Sequence, residues 1–446
     1  MFAICACSST GEVNTPTRGA VADTTLPPMK NFVAPQPTPP TRSNHDIARD
    51  FLELTFELES GRKLEILTKF EGPITLRVTG KVSPAFLSDL NRLLVRLRNE
   101  AYIDIRLVQK REANITIQAV SQRDIRRALP QAACFVVPNI SSLSQYRSAR
   151  RKSSTNWALL KSRKKLAIFV PNDTSPQETR DCLHEELAQA LGPLNDLYRL
   201  PDSVFNDDNI HAVLTGFDMT VLRAYYDPTL KSGMTRNQVA GRLAEILARI
   251  NPRGETLSSQ PLPRTTRAWI DAIQTALGPG TTASNRRAAA RQALQIAQNN
   301  GWQDHRLGFS HYALGRLMQS HDITTAYSEF LEADRAYSRG SQYSLHRAFV
   351  ATQLAAHAIS VGRSGEALSW INPQLAISLK FENAALLSTL MLLRAEALDL
   401  EGKIKQATTV RLDSLGWARY GIGPDWAVRS KISEIASLSP KTRDFE

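Results

Sequence analysis

The chain has 446 residues, 42% of them hydrophobic, and a formal net charge of +12, a composition that suits two or three globular domains with sizeable cores. No run of about eighteen apolar residues is present, so a membrane-spanning helix is not expected. The basic residues are spread out, clustering only at 147–152 (R-S-A-R-R-K) and 161–165 (K-S-R-K-K) around Trp157, and without a helix-turn-helix, zinc-finger or RNA-binding signature no nucleic acid is expected as a partner.

Those two clusters read as a solvated loop, or as a surface for anionic headgroups or peptidoglycan. At the N-terminus, Ile4-Cys5-Ala6-Cys7-Ser8-Ser9 is similar to a bacterial lipobox, which makes Cys7 the expected site of lipidation. The positive n-region and most of the apolar h-region are missing, so the start reads as the truncated remnant of a lipoprotein signal. Ser8 directs the expectation to a periplasmic, lipid-anchored protein, at the outer rather than the inner membrane; a cytoplasmic location is the alternative, with these cysteines incidental. Pro27, Pro28, Pro35, Pro37, Pro39 and Pro40 predict a disordered tether through residue 44.

A domain is expected over 45–250. Strands are predicted at 64–68, 74–78, 103–107, 115–120, 135–137 and 167–170, and a helix over 84–102 from the spacing of Phe86, Leu90, Leu93, Leu94 and Leu97. A second helix follows over 175–191. This α+β order of strand, helix, several strands and motif helix resembles the upper half of a zincin domain.

That second helix carries D-C-L-H-E-E-L-A-Q-A-L-G-P-L-N-D, residues 181–196. Counted from Glu185 it reads E-E-x-x-Q-x-x-G-x-x-N, the spacing of the extended metzincin pattern H-E-x-x-H-x-x-G-x-x-H, with Glu185, Gln189 and Asn195 in the ligand places and Glu186 in that of the general base. Residues four apart share a helix face, and Gly192 lets the chain turn back toward them. The donor set is all oxygen, better matched to calcium or magnesium, or to no metal, than to zinc. Counting from His184 instead gives H-E, but the residue four on is Ala188. The simplest alternative is an amphipathic helix, with Leu183, Leu187 and Leu191 inward and Gly192-Pro193 as its stop.

Cys134 and Cys182 are a pair available for a disulfide if the chain is exported, or two buried thiols in the cytosol. Beyond the motif, Met219 lies where a metzincin has its Met-turn, although Phe217, Val221, Leu222 and Tyr225 suit a packed helix equally well. Asp207, Asp208 and Asp218 add hard oxygen donors that keep calcium open. The cofactor expectation is thus a divalent metal, zinc or calcium, or none.

Three segments, E-E-L-A-Q-A-L-G-P-L-N-D, S-V-F-N-D-D-N and L-R-A-Y-Y-D-P-T-L-K-S-G-M, together resemble the proteobacterial family known as domain of unknown function 2927. The resemblance spans about 44–250. Its members carry lipoprotein descriptions, so it implies an envelope location, no established activity and no catalytic residue.

Residues 251–265 read as a linker, and 266–446 as an all-α, tetratricopeptide-like solenoid. Ala326, Ala367 and Ala407 recur at separations of 41 and 40, and Gly362 and Gly402 close helices 40 apart. Ala326, Phe330 and Ala333 have the spacing of the second helix of such a repeat. Paired helices of this kind stack into a groove for a protein partner. The expected function is an envelope scaffold or binding module with a degenerate zincin-like domain, held at the membrane by its lipid anchor. The alternative is an active envelope metallopeptidase in which Glu186 polarises a metal-bound water.

Overall fold

The computed structural model describes residues 26–32, 38–109 and 112–440. Its first part holds α1 (Asn44–Phe56), β1 (Ile74–Thr79), α2 (Pro84–Glu100), β2 (Ile105–Leu107), β3 (Ile115–Val120), α3 (Gln122–Ala128), β4 (Phe135–Pro138), α4 (Leu143–Ala149), β5 (Leu166–Pro171), α5 (Pro176–Leu191), α6 (Gly216–Tyr225) and α7 (Arg236–Ile250). The five strands form one sheet in the order β2-β1-β3-β5-β4. β1, β2, β3 and β5 run parallel, and β4 pairs antiparallel with β5, Phe135 opposite Phe169.

β5 is the continuous apolar run Leu166–Pro171, buried throughout. That pattern belongs to a strand covered on both faces. On one face Ile168 and Val170 join the large core under α1, α2, α5, α6 and α7; on the other, Ala167 and Phe169 pack under α3 and α4. The predicted strand at 64–68 does not join the sheet. Ile66 makes a lone bridge to Thr235, and Leu67 exchanges backbone hydrogen bonds with Gly233 and Met234, holding this segment against the start of α7.

α5 leaves the carboxyl end of β5 because its termini are specified locally. Ser175 caps it by accepting from the Glu178 amide, Pro176 occupies its first turn, and Gly192 ends it by donating to the Ala188 carbonyl. A Cβ on Gly192 would sit 3.1 Å from the Tyr225 ring, a tight contact that a side chain there could make only if the ring shifted by a few tenths of an ångström. A disulfide joins Cys134, just before β4, to Cys182 in α5, with their Cα atoms 5.9 Å apart.

The second part is all-helical: α8 (Arg267–Leu277), α9 (Ala283–Asn299), α10 (His305–Met318), α11 (Ile323–Tyr337), α12 (Ser344–Ser360), α13 (Ser364–Lys380), α14 (Ala384–Leu400), α15 (Ile404–Gly421) and α16 (Asp425–Ala436). α10 packs on α11, α12 on α13 and α14 on α15. Ala326, Ala367 and Ala407 each occupy the fourth position of the second helix in a pair, and all three are fully buried. Gly362 and Gly402 follow α12 and α14, both with φ of +75°, a left-handed turn at a helix end that glycine adopts without a Cβ clash.

Two segments that composition alone would leave free are fastened to the fold. Where the prolines predict a disordered tether, the Lys30 amide donates to the Gly416 carbonyl and Arg419 to the Pro27 carbonyl. Phe32 packs against Trp417 and Tyr420. The predicted linker lies along α1: Ser259 and Gln260 donate to Asp46, and Arg264 reaches Glu53 and Glu57. Proline removes donors and stiffens the chain, yet such a segment still orders when side chains bond its carbonyls and an aromatic ring buries beside it.

Candidate functional site

The motif residues of α5 point in different directions. His184 is buried, and its Nδ1 accepts a hydrogen bond from the Leu214 amide at 3.2 Å. Burial, reinforced by Arg180, Arg96 and Arg92, holds its pKa well below the usual imidazole range, so it is neutral. Asn195 donates its amide to the Glu53 carbonyl at 3.1 Å. Both candidate ligands thus already serve as structural connectors. Gln189 is buried too, but its main chain is what is engaged: Arg163 donates to the carbonyls of Gln189 at 2.5 Å and Ala190 at 2.7 Å, and to that of Gly192.

Arg163 corrects the reading of its basic cluster as solvated loop. It is 3% exposed, lies against the rings of Trp157 and Tyr225, and neutralises the carboxyl end of the α5 dipole. Nothing in K-S-R-K-K distinguishes this arginine from its solvated neighbours, because its partners are backbone carbonyls far along the chain.

Glu185 and Glu186 belong to a different constellation from the expected one. Burial, then repulsion from Glu59, Asp207 and Asp181, pushes Glu185 up to about 8. Glu186 is 4% exposed, its Oε2 has no hydrogen-bond partner, and burial with Glu185 and Glu59 nearby raises its pKa well above the ordinary carboxyl value. Asp196 is raised in the same way by burial and by Glu59, Glu185 and Asp207. Asp207 accepts from the Tyr198 hydroxyl at 2.8 Å. Asp181 is paired with Arg180, whereas among the described residues the five carboxylates Glu59, Glu185, Glu186, Asp196 and Asp207 form no ion pair.

The expected metal cage is not formed. Asp208 bonds Asn206, the Ile210 amide and His346, and Asp218 bonds Ser203, the Val204 amide and the Thr215 amide as part of the α6 capping box. These two carboxylates are therefore already engaged in structural hydrogen bonds. Met219 lies within α6, 3% exposed in the core, which makes it a packing residue and not the floor of a metal site. Among the described residues, no group of three or more His, Cys, Asp or Glu side chains is arranged to hold a metal ion. With His184 and Asn195 bonded elsewhere, the donors of this helix do not fit zinc. Cys7 lies outside the described residues.

Residues 44–245 match the family model described as Protein of unknown function (DUF2927). The matched region is a DUF2927 domain. Comparison with curated proteins and with solved structures found no match.

The DUF2927 domain contributes all five carboxylates, and it meets the helical region through a second feature absent from the sequence reading, a set of buried histidines. His211 of the domain, His305 of α10 and His346 of α12 lie in sequence, with ring centroids 5.9 Å apart for His211 and His346 and 5.7 Å for His305 and His346. His305 donates Nε2–H to the Tyr198 carbonyl at 2.7 Å, and His346 donates Nε2–H to Asp208 at 3.1 Å. Burial, then His346, lowers His211 to about 3, and the same two causes lower His305 to about 3. A cleft of about 770 Å³ opens beside His211, with Arg42, Asp50, Phe217, Tyr343 and Phe381 in its walls. Its charges are largely paired with one another, Arg42 with Asp50 and Asp202, Arg199 with Asp50 and Glu53.

Proposed function

We propose that this protein is a cell-envelope binding module. The DUF2927 domain retains a zincin-like layout without zinc chemistry, the helical region recruits a protein partner, and lipidation at Cys7 holds the chain at the membrane. The observation that carries this reading is the redirection of the motif side chains: His184 is bonded to the Leu214 amide and Asn195 to the Glu53 carbonyl. The zincin-like description is supported by the element order, a strand, a helix, further strands and then the motif helix beneath the sheet. The tetratricopeptide-like description is supported by helix pairs recurring at the spacing of Ala326, Ala367 and Ala407. The Cys134–Cys182 disulfide favours an oxidising compartment such as the periplasm.

The competing reading, a metallopeptidase with Glu186 as general base, draws on the unpartnered Oε2 of that residue. A base must be ionised near working pH, and burial beside Glu185 and Glu59 raises the pKa of Glu186 well above the ordinary carboxyl value, which opposes that form.

Elemental analysis of protein purified without chelator separates the two. The binding-module reading expects substoichiometric zinc and no change in metal content on Glu185→Gln or Gln189→Ala. One zinc per chain, lost in those variants, would overturn it. Fractionation of cells expressing Cys7→Ser tests the anchor: unchanged membrane association would remove it.

A further inference from the structure

The cleft beside His211 takes its walls from every part of the chain that meets there: Arg199, His211 and Phe217 from the DUF2927 domain, Leu262 from the segment along α1, and Tyr343 and Phe381 from the helical region. Its volume of about 770 Å³ is that of a small-molecule site.

The charges in these walls are unevenly matched. Asp50 alone accepts from three guanidiniums, Arg42 at 2.9 Å, Arg49 at 3.0 Å and Arg199 at 2.6 Å. Arg42 also reaches Asp202, and Arg199 reaches Glu53 at 2.7 Å, a carboxylate it shares with Arg264. Asp46 is taken up by the Ser43 and Ser259 hydroxyls and the Gln260 amide. The exposed Lys380, its Nζ 5.4 Å from the Phe381 ring centroid, forms no ion pair among the described residues. The wall cations Arg42, Arg49, Arg199 and Lys380 thus exceed the wall carboxylates Asp46, Asp50 and Asp202 by one.

Two buried atoms supply an observation independent of this balance. Arg199 is 3% exposed and its Nε–H has no acceptor; His211 is 7% exposed and its Nε2 has no partner. Native folds seldom leave such groups unbonded, and both residues line the cleft. A guanidinium N–H calls for an oxygen acceptor, and an anionic oxygen bonds it best. A single excess cation balances one negative charge rather than a di- or triphosphate. The rings of Phe217, Tyr343 and Phe381 offer apolar surface that a bare inorganic ion would leave uncovered. We propose that this cleft binds a small organic carboxylate with an aromatic or apolar body, the carboxylate held at Arg199 in the field of Lys380 and the body against Phe217, Tyr343 and Phe381. Because its walls come from both regions, such a ligand also braces the junction between them.

The inference is independent of whether the motif helix holds zinc. Its test is calorimetric titration of the full chain with N-acetylphenylalanine, its neutral amide and inorganic phosphate, on wild type, Lys380→Gln, Arg199→Lys and, as a distant control, Lys405→Gln on α15. The carboxylate is expected to bind wild type and Lys405→Gln alike at millimolar concentration and to raise the melting temperature of both, since it binds the folded state. The amide and phosphate should bind at least about tenfold more weakly, roughly 1.4 kcal/mol. Lys380→Gln should weaken the carboxylate about threefold to fivefold, the size of an exposed ion pair, without changing the melting temperature of the free protein. Arg199→Lys keeps the charge but removes the Nε–H and should bind at least about tenfold more weakly; if that buried variant does not fold, Lys380→Gln decides alone. No heat with millimolar carboxylate, equal affinity for acid and amide, or wild-type affinity in Lys380→Gln overturns the proposal. Tighter binding of phosphate than of the carboxylate overturns the assignment to an organic anion.

Discussion

His346 on α12 donates its Nε2–H to Asp208 of the DUF2927 domain at 3.1 Å, with both side chains almost fully buried. This bond joins two parts of the chain 138 residues apart. Substitution His346→Leu keeps the volume apolar but leaves the Asp208 carboxylate without its donor. It should cost about 1–3 kcal/mol, read from the midpoint of urea unfolding. A change below about 0.5 kcal/mol, the size of an ordinary surface substitution, would mean that the contact does not help hold the two regions together.

The neighbouring histidines make the junction acid-sensitive. His211 and His305 are lowered to about 3 in the folded chain, from 6.5. The unfolded chain therefore binds more protons between those values, and stability is lost as the pH falls from about 6.5 toward 3. Thermal melts over that range should decline, and His305→Gln should flatten the decline. A variant whose melting curve tracks wild type over the whole range would contradict this.

Glu185 acts on the alkaline side. Its pKa rises to about 8 from 4.5, so the folded chain holds the extra proton and stability falls as pH rises from about 4.5 to 8. Glu185→Gln should match wild type near pH 4 and become progressively more stable above it. A gain of about 1 kcal/mol would raise Tm by about 2–4 °C at pH 8. Curves that stay parallel would refute the assignment of the shift to this carboxylate.

Arg163 is expected to be intolerant of change. Its guanidinium bonds the carbonyls of Gln189, Ala190 and Gly192 at the end of α5, and Arg163→Ala strands these buried acceptors. The cost should be about 2–4 kcal/mol. Arg163→Lys should restore only part of it, because an ammonium on a flexible stem does not reproduce the planar fork. Full rescue by lysine would show that charge alone matters.

The disulfide closes a sequence separation of 48 residues between Cys134 and Cys182. Loop-closure entropy assigns such a cross-link about 2–4 kcal/mol. Reductant should therefore lower the melting temperature of wild type while leaving a Cys134→Ala, Cys182→Ala double variant unaffected; equal sensitivity of the two would be inconsistent with this bond.

The sequence by itself determined the elements whose signals are local. Ser175 and Gly192-Pro193 bound the motif helix, the apolar stretch at 167–170 marks a strand, and the recurrence of Ala326, Ala367 and Ala407 announces helix pairs. Caps, periodicity and small-residue spacing act over a few residues, so they can be read in order along the chain. The site was only half legible. The motif pointed to Glu185 and Glu186, but whether His184 and Asn195 face a ligand or a backbone group depends on where Leu214 and Glu53 lie. Glu59 joins the carboxylates, Arg163 reaches α5, and Leu26–Phe32 loses its freedom to α15 only through contacts between distant segments. Tertiary structure decided these because electrostatic repulsion, desolvation and hydrogen bonding depend on distance in space, which spacing along the chain does not set.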